Sequence, residues 1–198
     1  MDVRRIVSHS ILSGIAISVG GAVYVSIGGI AGAIFFTFGL ITILHFRWPL
    51  YTGSAGFVKT IPDLTEMLLI IVFNAVGCWL AAEAVGFGRP ELIEKAQTIV
   101  DARLMRTWWE CFVLAIGCGF VVNVAVVFGR QARWLPMLFG VPAFIFVGFL
   151  HSIADVFYIS LVGDYSAEMI ARWGAVVAGN FIGCNVVRIF NWQLDYSV

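Results

Sequence analysis

The sequence predicts an all-α integral membrane protein in which six transmembrane helices form an inverted 3+3 repeat, with helices two and five broken. The first observation that supports this prediction is the composition: 61% of the 198 residues are hydrophobic and only 12% are charged. A soluble domain carries about 25% charged residues, and the mean hydropathy here is +0.95. The other two observations are a set of apolar stretches of span length and a short motif that occurs twice.

Each predicted span is an apolar stretch close to the roughly 20 residues that a bilayer crossing needs. Five of the spans cover approximately residues 6–27, 29–46, 64–85, 107–128 and 173–190, and the fifth span in chain order starts near residue 134. Together they predict a single transmembrane domain over residues 1–198, with one half at about 6–85 and the other at about 107–190. We expect the first span to stay uncleaved, because two arginines precede it and no signal-peptide cleavage site follows it.

The charge pattern excludes a nucleic-acid partner and favours one membrane orientation. The chain has 12 basic and 12 acidic residues, so no excess positive charge is available for phosphates. Six basic residues fall on the side of the two termini, Arg4, Arg5, Lys59, Arg130, Arg133 and Arg188. Five fall on the other side, where acidic residues dilute them: Arg89, Lys95, Arg103, Arg106 and Arg172. By the positive-inside rule, both termini are expected in the cytoplasm.

Two of the spans are interrupted. Span two gives way to RWPLYTGSAG at residues 47–56, where Pro49 lacks a backbone donor and Gly53 permits unusual dihedrals. Span five is interrupted around residues 148–155. Unpaired backbone at membrane depth is tolerated only where it is buried in protein or lines a wet cavity, so Thr52 at the first break is a candidate pore residue.

The two halves share an N-x-x-G motif. It occurs as Asn74 to Gly77 in span three and as Asn180 to Gly183 in span six. With three spans in each half, the halves must have opposite orientations. Inverted repeats with broken helices at the midplane are typical of channels and transporters, and the arrangement is that of an aquaporin-like protomer.

The stretch GFLHSIADVFYIS, residues 148–160, puts two titratable side chains into apolar sequence. His151 is the stronger functional candidate, because an intramembrane ionisable residue is expensive and therefore functional by default. Asp155 could form an ion pair with Arg47, which would reconcile two buried charges. Alternatively, it could hydrogen-bond the imidazole or a freed backbone amide.

The four cysteines, Cys78, Cys111, Cys118 and Cys184, lie in apolar segments without a CxxC pair or a nearby histidine cluster. A metal site or a disulfide framework is therefore not expected. The sequence also contains no nucleophile–base pair and no phosphate-binding loop. We accordingly expect neither an enzyme nor a cofactor.

Four motifs in the same order resemble the formate/nitrite transporter family. GFLHSIADVFYIS resembles the family's central GFEHSIANMF, and VVAGNFIGC resembles its sixth-span GNIIGG. FNAVG resembles its third-span GN-x-x-G, and LYTGS resembles the LFTGN that breaks span two. The family comprises pentameric channels for small monovalent anions, so the resemblance implies a homopentamer in a bacterial-type cytoplasmic membrane.

The resemblance also implies roles for particular residues. His151 matches the pore histidine, and Thr52 matches the loop threonine that approaches it. The remaining matches are apolar residues of two constrictions, an asparagine near the pore and a basic residue of a vestibule: Leu50, Tyr51, Phe144, Asn180 and Arg103.

Several positions depart from the family pattern. Asp155 stands where the family usually has Asn, and Tyr51 replaces the usual Phe. Pro49 replaces an acidic residue, and Gly119 lies where a pore asparagine is common. These differences bear on selectivity and gating more than on the fold.

The function implied is a channel for small monovalent anions or their weak acids, with proton-coupled passage past His151 between two apolar constrictions. A channel of the same fold for a neutral solute, such as water or an undissociated weak acid, is the first alternative. A membrane scaffold that does not conduct is the second.

Overall fold

The computed structural model describes residues 2–131 and 133–190, in which all regular structure is helical. The predicted domain's last residues, 191–198, lie outside the described part. The helices are α1 (Val3–Ile27), α2 (Gly29–Phe46), α3 (Tyr51–Ser54), α4 (Ile61–Gly88), α5 (Glu91–Leu104), α6 (Trp108–Arg130), α7 (Leu135–Val147), α8 (Ser152–Val162) and α9 (Ala167–Phe190), with a 3₁₀ turn at Ala55–Phe57.

The six predicted spans are confirmed. Five helices, α1, α2, α4, α6 and α9, are long and apolar enough to cross a membrane, and α7 with α8 forms a sixth span bent by 58°. The second span begins and ends where the sequence predicts, at Gly29 and Phe46. The others extend past their predicted ends by one or two turns at most, because polar residues at the ends join the helices.

Each break is four residues long, at residues 47–50 and 148–151. Span five is interrupted only from Gly148 to His151, so Asp155 lies in the first turn of α8 and not in the break itself, where it was predicted. After α2, Arg47 takes a left-handed conformation with φ 56°, and the chain resumes with the single-turn helix α3.

One helix was missed. The predicted spans leave residues 86–106 as a connection between spans three and four, but these residues contain the 14-residue helix α5. Its buried residues are Leu92, Ala96 and Val100. Their spacing of four places them on one face, so the helical signal was present in the sequence.

The inverted repeat is visible in how glycines close the helix contacts. A Cβ atom at Gly14 of α1 would lie 2.1 Å from the carbonyl oxygen of Asn74 on α4, and one at Gly119 of α6 would lie 2.3 Å from that of Asn180 on α9. Both helix pairs therefore approach backbone to backbone, as small residues allow in membranes.

The two halves run in opposite directions. Gly39 of α2 packs on Ala16 of α1 and Gly20 packs on Phe36, so α2 runs antiparallel to α1. The end of α6 meets the end of α2, where Gly129 contacts Leu44. α6 consequently runs opposite to α1, and the breaks of the two halves meet in the middle of the molecule.

The glycine contacts predict opposite effects of two alanine substitutions on α9. Gly183→Ala would bring a Cβ to 2.1 Å from the carbonyl oxygen of Ile116, whereas nothing in the described part of the chain lies within 4 Å of a Cβ at Gly174. We expect Gly183→Ala to lower the melting temperature of the detergent-solubilised protein, because α6 and α9 must separate.

Gly174→Ala is the matched control, and it should leave the melting temperature unchanged or raise it, since alanine is favoured over glycine in a helix by about 0.5–1 kcal/mol. Equal melting temperatures for the two variants would contradict the close α6–α9 contact.

Candidate functional site

The two breaks bring Thr52 and His151 together at the centre of the molecule. The Oγ1 of Thr52 lies 3.1 Å from Nε2 of His151, and both side chains are buried. These residues come from opposite halves of the repeat, as the sequence comparison of the halves led us to expect.

The local hydrogen bonds fix the tautomer of His151. It is the N-cap of α8, and its Nδ1 accepts the backbone N–H of Ala154 at 3.2 Å. A neutral imidazole has one donor and one acceptor nitrogen, so the hydrogen lies on Nε2 and is donated to Thr52. The hydroxyl hydrogen of Thr52 is then available to a third group.

Asn74 holds the first break. Its Oδ1 accepts the backbone N–H of Tyr51 at 2.9 Å, and its Nδ2 donates to the carbonyl oxygens of Ser10 at 2.8 Å and Pro49 at 3.2 Å. The N–H of Tyr51 and the carbonyl of Pro49 have no intrahelical partner at a break, whereas Ser10 lies within α1. One buried amide thus satisfies the chain on both sides of Leu50 and anchors it to α1.

Asn180 holds the second break in the same way. Its Oδ1 accepts the backbone N–H of Ser152 at 2.8 Å, and its Nδ2 donates to the carbonyl oxygens of Ala115 and Leu150, both at 2.9 Å. The resemblance suggested that Asn180 lies near the pore. All three polar hydrogen-bonding functions of its amide are engaged with the backbone, so in this structure it shapes the break.

Two cysteines add a crossed pair of contacts. The thiol of Cys184 on α9 donates to the carbonyl oxygen of Thr52 at 3.1 Å, and that of Cys78 on α4 donates to the carbonyl oxygen of Ile153 at 3.3 Å. Each thiol therefore reaches from one half of the repeat to the break of the other.

Two cavities flank the central pair. The larger cavity, about 510 Å³, lies where α2 and α6 end, and Leu50 is in its wall. The smaller cavity, about 90 Å³, lies on the opposite side and is lined by His151 and Phe144. Leu50 and Phe144 thus each contribute an apolar side chain to the wall of one cavity, and His151 itself is in the wall of the smaller cavity.

The predicted constriction residues have different positions. Phe144 stacks near the His151 ring, with 6.0 Å between centroids, and it meets the ring of Phe36 edge to face at 6.3 Å. Tyr51 lines neither cavity in the described part of the chain, and its hydroxyl donates to the carbonyl oxygen of Val177 at 2.9 Å. The structure therefore gives no support for Tyr51 as part of a constriction.

The predicted Arg47–Asp155 ion pair is wrong. Asp155 Oδ1 instead accepts two hydrogen bonds from Arg103, from Nε at 3.2 Å and from Nη2 at 3.0 Å. Arg47 caps α2 and lines the larger cavity, whereas Asp155 lines the smaller one. Burial by itself would lower the pKa of Arg103, but the Asp155 carboxylate raises it above its ordinary value, so the guanidinium stays charged.

Sequence reasoning missed several residues of this site. Phe36 faces Phe144, but nothing in its phenylalanine-rich stretch of sequence indicates this contact. The role of Asn74 was available from the N-x-x-G repeat. Asn123 lies one turn beyond Gly119, and its buried Oδ1 has no hydrogen-bond partner among the described residues. An asparagine at Gly119 itself would collide with α9.

Comparison with protein families and curated proteins gives one consistent result. The formate/nitrite transporter family model matches residues 1–192. The uncharacterized transporter YrhG of Bacillus subtilis (strain 168) is 28% identical over 185 residues, or 83% of this chain and 66% of that protein. The formate channel FocA of Haemophilus influenzae is 24% identical over 151 residues, or 67% of this chain and 53% of that protein. The chain thus spans less than two thirds of these relatives.

Solved structures share the fold. A structure described as a pentameric formate channel with formate bound superposes with a TM-score of 0.83 at 18% identity, covering 96% of both chains. An FNT family ion channel gives a TM-score of 0.80 at 18% identity, covering 94% of this chain and 88% of that one.

The contacts of Asn180 predict a large loss of stability on truncation. Asn180→Ala would leave the buried N–H of Ser152 and the buried carbonyl of Leu150 without their partner at the break, and each such group costs about 1–3 kcal/mol. We expect a clear drop in melting temperature in detergent. Asn74→Ala should produce a similar drop, because its contacts are equivalent, and a wild-type melting temperature for either variant would contradict the role of these amides.

The tautomer of His151 can be measured directly. Nitrogen NMR of the protein labelled at histidine should show His151 with an unprotonated Nδ1 and a protonated Nε2, because Nδ1 accepts the N–H of Ala154. A protonated Nδ1 at neutral pH would contradict this assignment. His151→Gln identifies the resonance among the three histidines of the chain.

Proposed function

The chain belongs to the formate/nitrite transporter family, and we propose that it is a membrane channel for small monovalent anions or their weak acids, of the formate, nitrite and hydrosulfide class. The observation that carries this proposal is the Thr52–His151 contact between two cavities on opposite sides of the molecule. With Leu50 and Phe144, one in the wall of each cavity, as the two proposed apolar constrictions, a buried polar pair between them suits a permeant that must shed water before it crosses.

The proposed apolar constrictions favour passage of the neutral acid over passage of the anion. A bare anion that leaves water for an apolar constriction incurs a large desolvation penalty, whereas the protonated acid incurs far less. The hydroxyl of Thr52 then offers a hydrogen bond to the permeant, since its oxygen already accepts from His151. Passage is therefore coupled to a proton that accompanies the anion.

Water is the better source of that proton. Neutral His151 would have to become an imidazolate to give up its only N–H hydrogen, which is very unfavourable. A doubly protonated ring would turn Nδ1 from an acceptor into a donor facing the N–H of Ala154. His151 accordingly acts as a hydrogen-bond donor that orients Thr52.

A pentamer in a cytoplasmic membrane, with both termini inside, completes the proposal. The pentameric state of the similar solved channel supports the first point. Large apolar side chains exposed along α2, such as Ile30, Phe35 and Phe38, offer surface for lipid or for neighbouring subunits. The basic residues on the side of the termini support the orientation, and Arg47 at the end of α2 adds to them.

One observation favours a channel for neutral solutes as the second candidate. Arg103 and Asp155 compensate each other in the smaller cavity, so that side offers no net charge to an anion. Liposome flux of formate, nitrite, lactate, hydrosulfide and ammonium, measured as a function of pH, separates the two candidates.

The proposal predicts that the hydroxyl of Thr52 is needed for transport. Thr52→Val keeps the shape of the side chain but removes both the acceptor for His151 and the donor for the permeant. We expect uptake of formate into proteoliposomes, driven by an inward proton gradient, to fall about tenfold or more, equivalent to at least about 1.4 kcal/mol.

Thr37→Val is the matched control. Thr37 is equally buried, and its hydroxyl has no hydrogen-bond partner among the described residues, so this variant should transport at nearly the wild-type rate. If Thr52→Val transported as fast as Thr37→Val, the proposed path would be abandoned.

A further inference from the structure

We propose that the two mouths of this pore differ in charge: Asp155 neutralises the smaller cavity, and anions are collected only in the larger cavity, by Arg130 and Arg47. This inference rests on the proposed channel function. It assigns an anion-collecting site to the larger cavity and makes Asp155 a residue that determines selectivity.

The smaller cavity has no net charge. Among the described residues that line it, Arg103 and Asp155 are the formally charged ones, and their side chains are 3.0 Å apart. The carboxylate is almost fully buried, with 4% of its side chain exposed, and it lies in the first turn of α8. The amino end of a helix favours an anion. Asp155 Oδ1 accepts two hydrogen bonds from the guanidinium of Arg103, and the two side chains form an ion pair whose charges cancel.

The larger cavity keeps an excess of positive charge. Arg47 and Arg130 line it together with one acidic residue, Glu66. The ion pairs in the described part of the chain involve neither of these arginines. Glu66 therefore offsets one positive charge at most.

Arg130 is also close to the central pair. Its Nη2 donates to the carbonyl oxygen of Gly53 at 3.3 Å, and its guanidinium lies 3.9 Å from the centroid of the Phe57 ring. Neither contact removes the positive charge. Gly53 follows Thr52 in the chain. An anion bound by Arg130 would therefore lie one residue from the Thr52 hydroxyl, to which it next hydrogen-bonds.

The charge difference has a directional consequence. A permeant on the side of the larger cavity is concentrated as the anion before it takes up a proton. A permeant on the side of the smaller cavity gains no such attraction. Removing the charge of Asp155 would free Arg103 and turn the smaller cavity into a second collecting site.

The test measures the initial uptake of formate and of nitrite into right-side-out and everted membrane vesicles, which expose opposite mouths. Asp155→Asn should lower the KM about three- to tenfold in one orientation and leave the other unchanged, since one unit charge is uncovered within several ångströms of the permeant. Arg130→Gln should raise the KM in the opposite orientation. Arg47→Gln alters an exposed side chain and should raise the KM in that same orientation. It replaces Arg130→Gln as the test variant if Arg130→Gln fails to fold.

A charge series separates electrostatics from structural damage. The net charge of the smaller cavity is raised by Asp155→Asn, lowered by Arg103→Gln and returned to zero in the double variant. The KM should follow that order, with the double variant restored to near the wild-type value. Damage to the structure would instead make the double variant worse than either single one.

The outcomes distinguish the two proposals. If vesicles with the wild-type chain take up neither anion faster than vesicles without it, the proposed function fails and this inference fails with it. If the wild type transports but Asp155→Asn leaves the KM unchanged in both orientations, or acts in the same orientation as Arg130→Gln, only the inference is overturned.

Discussion

The structure depends on how backbone groups are satisfied where two helices break inside the membrane. Water is not available there to hydrogen-bond a freed N–H or C=O group. Asn74 and Asn180 solve this problem with the same set of contacts, each bonding one amide hydrogen and two carbonyl oxygens. The close approach of α1 to α4 and of α6 to α9 brings these amides within reach, so the glycine contacts and the breaks form one unit.

The two breaks share this frame but differ in the side chains that they carry. Tyr51 and Ser152 are the residues whose N–H groups bind the two asparagines. Leu50 and His151 precede them and are therefore equivalent, and Thr52 and Ile153 follow them and are equivalent as well. The polar members of the two pairs, His151 and Thr52, are the ones that meet at the centre. The backbone of the repeat supplies two equivalent breaks, and the different side chains at these positions bring two polar groups together.

Much of this was accessible from the sequence, because apolar length and the N-x-x-G repeat report directly on membrane burial and on the break contacts. The six spans and both breaks were predicted for that reason. The partner of Asp155 was not, since pairing depends on which side of the membrane each residue faces. Arg47 was favoured because it lies in apolar sequence, but it ends α2 on the far side from Asp155. Helix α5 was missed because its charges masked a spacing of four among its buried residues.

The missed helix is part of the site, and its position explains why the ion pair exists. Ile99 and Arg103 of α5 line the smaller cavity, and Lys95 ties the helix to the end of α1 through the carbonyl oxygen of Ser26. A guanidinium brought to a cavity with apolar walls needs compensation, because an isolated buried charge is very costly. The first turn of α8 supplies it at Asp155, where the helix end also favours the carboxylate. The residue that departs from the family pattern is therefore matched to an arginine from a helix outside the six spans, and the two compensate each other's charge in the wall of the smaller cavity.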